Sequence, residues 1–103
     1  MIKKYLDSII IIMEIEQIKK IIESSVLTRS NYGSTVITYT FETEESQKRN
    51  IERGLYLPCL SLNVIMEDKI IQAYVDTETI EGTFEYRGME YYQIMDCLAN
   101  NKV

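Results

Sequence analysis

Residues 55–77, LYLPCLSLNVIMEDKIIQAYVDT, decide the fold class of this chain. Leu60, Leu62, Val64 and Met66 recur at every second position, and so do Ile71, Ala73 and Val75 further on. A period of two sets each group on one face of a strand. Asp68-Lys69 between them is a tight turn, so the two runs form an antiparallel hairpin. Pro58 has no N–H to give to a ladder and belongs at the first strand's start or on an edge.

The same alternation extends upstream. In STVITYTFET (residues 34–43), Ile37, Tyr39 and Phe41 point one way, and Val36, Thr38, Thr40 and Glu42 point the other. This is a half-buried strand with β-branched filling. Thr43 caps a helix, and Glu44 and Glu45 favour its positive end. EESQKRNIERG is then a short polar helix closed by Gly54. Its one large apolar residue is Ile51, so it lies on the surface.

Downstream, DTETIEG is a polar connection and TFEYR a further strand. The final segment, GMEYYQIMDCLANN, has Tyr91, Ile94, Met95 and Leu98 at helical spacing and reads as a helix ending near Asn100-Asn101. FEYRGMEYYQI also fits a hairpin turning at Arg87-Gly88.

The N-terminal segment is the hardest to assign. DSIIIIMEIEQ (residues 7–17) sets four isoleucines and a methionine between charges, far short of the roughly 20 apolar residues of a membrane span. From Ile2 to about Leu27 there is no Gly or Pro. Ile2, Leu6, Ile9 and Met13 form one helical stripe; Ile11, Ile15, Ile18 and Ile22 form a second on roughly the opposite side. Three readings fit. One is a single helix with one stripe in its own core and the other against a second molecule. Another is a break near Ser8 with a helix from about Ile11. The third is a short strand over residues 8–13. The second stripe is the expected self-association surface of a homodimer. Ser24-Ser25, Ser30 and NYGS then end the helix and supply a turn.

The expected fold is one α+β domain: an antiparallel sheet of about four strands, with an N-terminal and a C-terminal helix packed on one face. A chain of 103 residues suits a single domain with one core. Cys59 and Cys97 sit among apolar neighbours and read as buried free thiols. The apolar run is too short for a secretory signal, so a cytoplasmic protein is expected. Sixteen isoleucines against two alanines fit AT-rich codons, hence a low-GC bacterium or its phage.

Much chemistry is excluded. With no histidine there is no Ser-His-Asp or Cys-His centre and no His-based zinc site. Two cysteines are too few for zinc, and four isolated glycines make no phosphate loop. A carboxylate pair such as Asp76 and Glu78 is the one candidate for Mg²⁺, but acids of this kind are ordinarily solvated surface. The expectation is a non-enzyme with no cofactor and no metal.

The net charge is −5, and residues 55–103 carry all of it, with three basic and eight acidic groups. That disfavours direct nucleic-acid binding. In DTETIEGTFEYRGMEYY (residues 76–92) acids and aromatics interleave. Asp76, Glu78, Glu81, Glu85 and Glu90, with Tyr86, Tyr91 and Tyr92, are the expected partner-binding residues for a protein target with a basic surface. The functional expectation is a small inhibitor or immunity-type, anti-defence protein that blocks a nucleic-acid-handling site. The alternative is a structural or regulatory homodimer built on the isoleucine stripe.

Overall fold

In the computed structural model the described residues are 14–101. Their order is α1 (Ile15–Ser24), β1 (Val26–Tyr32), β2 (Val36–Glu42), α2 (Glu44–Arg53), β3 (Leu60–Ile65), β4 (Ile70–Asp76), β5 (Glu81–Arg87) and α3 (Met89–Asn101). The expected α+β fold with an antiparallel sheet is present, but the sheet has five strands, not four. The strand missing from the sequence reading is β1, over residues assigned there to the end of a helix and a turn. Neighbouring strands in the sheet are neighbours in sequence, in the order β1-β2-β3-β4-β5.

Register explains the core. Tyr39, Leu62, Ala73 and Phe84 lie side by side across β2 to β5, as do Ile37, Val64, Ile71 and Tyr86. A third row runs Leu27, Phe41, Leu60, Val75 and Gly82. These rows form one face, and α1 and α3 close it with Ile18, Ile22, Tyr91, Ile94, Cys97 and Leu98. Both terminal helices therefore cover the same face, as the sequence implies. Gly82 holds φ 153, a conformation L side chains rarely adopt, and the Phe84 ring covers it: an added Cβ would stand 3.4 Å from that ring.

The local signals behave as their chemistry dictates. Gln17 Oε1 accepts the Glu14 N–H (3.1 Å) at the start of α1. At its end the Ser24 and Ser25 hydroxyls donate to the Ile21 carbonyl, and Ser25 turns extended. Ser46 N–H donates to Thr43 Oγ1 (3.1 Å) and Thr43 N–H to Ser46 Oγ (2.8 Å), a reciprocal cap on α2. Gly54 closes α2 at φ 65. Asn50, buried in α2, donates to the Leu57 carbonyl (2.9 Å) and accepts the Leu57 N–H (3.2 Å), clasping the loop that leads to β3. Met66 lies in the β3–β4 turn, where Lys69 N–H donates to its carbonyl (3.3 Å), and not in the strand.

The second isoleucine stripe needs correction. Ile18 and Ile22 are 0% and 2% exposed, and Ile15 packs against the same core. Burial in the protein's own core removes Ile18 and Ile22 from a self-association surface. Ile11, the Ile2–Leu6–Ile9–Met13 stripe and the alternatives for residues 8–13 lie outside the described residues. Among the described residues no helix is long and apolar enough to cross a membrane.

Candidate functional site

The opposite face of the sheet is built from the alternate residues. Its rows are Val36, Ile65, Ile70 and Arg87; then Asn31, Thr38, Asn63, Gln72 and Glu85; then Arg29, Thr40, Ser61, Tyr74 and Thr83. None of these side chains is fully buried. The face is polar along its middle, where the Thr38 hydroxyl donates to Asn63 Oδ1 (2.9 Å). Tyr74 stands on it 44% exposed, opposite Thr83 and between the levels of Glu81 and Glu85.

The β4–β5 hairpin brings two of the expected acidic residues, Glu81 and Glu85, to this face. Its turn is fastened by Thr77, whose N–H donates to the Ile80 carbonyl (2.8 Å) and whose hydroxyl oxygen accepts the Ile80 N–H (3.0 Å). Glu78 is exposed in that turn, and Glu81 opens β5 opposite Asp76. Glu81, Thr83, Glu85 and Arg87 are all exposed along β5, and Arg87 pairs with Glu85 at 3.2 Å. Glu90 lies exposed in the first turn of α3, where a carboxylate complements the helix dipole.

The structure separates the expected set. Asp76 is partly buried and held by Arg49 of α2, which reaches its carboxylate at 3.5 Å and its carbonyl at 3.2 Å. It joins α2 to the hairpin. Tyr86 and Tyr91 are 3% and 7% exposed, so neither offers a partner its ring. Tyr86 shares its strand face with Phe84, and Tyr91 points from α3 into the same core; the aromatic-acid alternation is the ordinary two-sidedness of a strand. Burial pushes the Tyr86 hydroxyl up to about 12, with Glu90 adding to the shift. Tyr92 stays exposed, its ring edge-on to Tyr91 at 5.1 Å. The exposed members are therefore Glu81 and Glu85 on the open face, Glu78 in the turn, and Glu90 and Tyr92 on α3. Tyr74 joins Glu81 and Glu85, legible from its position between inward-facing Ala73 and Val75.

A second exposed region was not expected. Ile51, Leu55, Tyr56 and Leu57 cluster at the end of α2 and the loop after it, all exposed. The Arg29 guanidinium lies over the Tyr56 ring at 5.8 Å from its centre. A cleft of about 460 Å³ separates α1, α2 and the β4–β5 turn, with Lys48, Arg49, Glu45 and Glu78 on its walls and Cys59 beside them. Burial raises the pKa of Cys59 and of Cys97. Both are free, buried thiols that stay protonated near neutral pH, unsuited to nucleophilic attack. Among the described residues no three His, Cys, Asp or Glu side chains converge as metal ligands, and Asp76 turns to Arg49. In comparisons with known proteins the chain matches no family model, no curated protein and no solved structure, so its function rests on the chemistry of this surface.

Proposed function

We propose that the chain is a non-enzymatic protein-binding module that sets the β4–β5 side of its open sheet face against a basic surface on another protein. The observation that carries this reading is the grouping of Glu81 and Glu85 with exposed Tyr74 on a sheet face that keeps none of its side chains in the core, with Glu78 exposed in the adjoining turn. Carboxylates steer a cationic partner and fix its register; a tyrosine supplies contact area at little entropic cost. The specific version is an inhibitor of bacterial or phage origin, of the immunity or anti-defence type. Its carboxylates would stand where a nucleic acid's phosphates stand on a nucleic-acid-handling target, and the block is steric.

The test is capture from a nuclease-treated lysate of a low-GC bacterium over a salt series, with wild type and the Glu78→Lys, Glu81→Lys, Glu85→Lys triple variant side by side. The expected result is one protein held near stoichiometrically by wild type, released as salt rises and lost by the variant. Equal retention by the variant would remove the acidic surface from the binding reaction.

A further inference from the structure

Among the described residues the sheet ends on two edges that no further strand pairs, β1 and β5, and they are not alike. β1 is interrupted by a register shift between Leu27 and Arg29, the kind of irregularity that blunts an edge against pairing. β5 is regular: its seven residues pair one-to-one with β4 from Asp76↔Glu81 to Ile70↔Arg87. Asp76 N–H donates to Cys59 on the β3 side, and Thr77 N–H donates across to Ile80. Backbone groups alternate in direction along a strand, so Gly82, Phe84 and Tyr86 turn theirs toward β4. Glu81, Thr83, Glu85 and Arg87 turn theirs outward.

The sequence of β5, EGTFEYR, is complementary to itself when reversed about Phe84. An antiparallel copy centred there sets Glu81 opposite Arg87 of the second copy, and Arg87 opposite its Glu81. Thr83 faces Glu85 in the same way. The outward-turned residues fall on the hydrogen-bonded positions of that pairing, so chemistry and ladder agree. The same exercise on β1, VLTRSNY, centres on Arg29 and sets it against itself. A β1–β5 contact between copies would be head-to-tail, giving a ring or a filament and not a two-fold dimer.

We infer that β5 is a self-pairing edge: two copies of the chain join through antiparallel β5 strands about a two-fold axis at Phe84, locked by two Glu81–Arg87 pairs. The product is one continuous sheet with the helices of both copies on one side and both open faces on the other. This does not rest on the basic partner proposed above, and it replaces the isoleucine stripe as the surface of a homodimer.

The test uses the purified chain alone, in sedimentation equilibrium over a concentration series. Wild type is expected to be a dimer in reversible equilibrium with monomer. Glu81→Arg sets Arg against Arg87, and Arg87→Glu sets Glu against Glu81. Each raises the dissociation constant by about tenfold or more, because the two-fold axis applies the change twice. Mixing the two single variants restores a dimer containing one of each, since every facing pair is then opposite in sign. Glu85→Pro removes an outward N–H without touching the β4–β5 ladder, and is expected to weaken the dimer while melting as a folded monomer. A wild-type chain that stays monomeric would overturn the inference. So would a dimer indifferent to both single charge variants, or single variants that do not rescue each other on mixing.

Discussion

Tyr86 shows how far one side chain can be read from its neighbours. Glu81, Thr83, Glu85 and Arg87 fall on one parity of β5 and Phe84 and Tyr86 on the other, so the alternation itself places Tyr86 inside. Acids flanking an aromatic resemble a binding surface in a linear reading, and that likeness hides the parity. Burial has a thermodynamic consequence. The Tyr86 hydroxyl ordinarily titrates at 10.0 and in the fold near 12, so the folded chain keeps a proton that the unfolded chain releases. Stability from this group is whole below about pH 10 and falls as pH climbs toward 12. Tyr39 is shifted in the same direction, first by burial. Melting temperatures measured from pH 9 to pH 12 are expected to fall steeply for wild type and less steeply for Tyr86→Phe. Parallel curves would mean that the hydroxyl is not protected in the folded state.

Elements whose two faces meet different surroundings were legible; those with one environment were not. β2, β3, β4 and β5 each set buried residues against exposed or half-buried ones, and their periodicity reported it. α2 was legible from its ends alone, through Thr43 and Gly54. β1 packs only Leu27 against the core and exposes nearly everything else, so it has no alternation to read. Ser, Asn and Arg also lack strand preference. β1 forms because the outer edge of β2 needs partners for its backbone groups, a demand written in β2 and not in β1. For α2 the cap makes a sharp forecast. Thr43→Ala is expected to cost about 1 kcal/mol in denaturant unfolding, with Thr43→Ser close to wild type. An Ala variant as stable as wild type would show that the reciprocal Thr43–Ser46 bonds are not held in solution.

At the scale of the whole molecule, one core is sealed from both ends of the described chain. Ile18 and Ile22 of α1 meet a layer that includes Ile94 and Leu98 of α3, above the sheet. The periodicity of Ile15, Ile18 and Ile22 was correct as helical spacing. What a stripe cannot tell is whether its apolar face meets the same chain or another copy, since both look identical in sequence. Ile22→Ala is expected to cost about 2–5 kcal/mol through lost burial and the cavity left behind. Ile18→Glu is expected to unfold the chain at every protein concentration, as circular dichroism would read. A folded Ile18→Glu monomer would return that residue to an interface.

Every strand pairs with the next one along the chain, and the longest connection between partners is the one between β2 and β3 that holds α2. The entropic cost of bringing partners together is small at each hairpin, so hairpins can zip in succession from any point along the meander. The α1–α3 layer is the exception: the Cys97 thiol lies 3.9 Å from the Lys19 carbonyl, 78 residues away in sequence. The kinetic barrier should therefore concentrate in the docking of the two terminal helices, with the sheet assembling first and the lid arriving last.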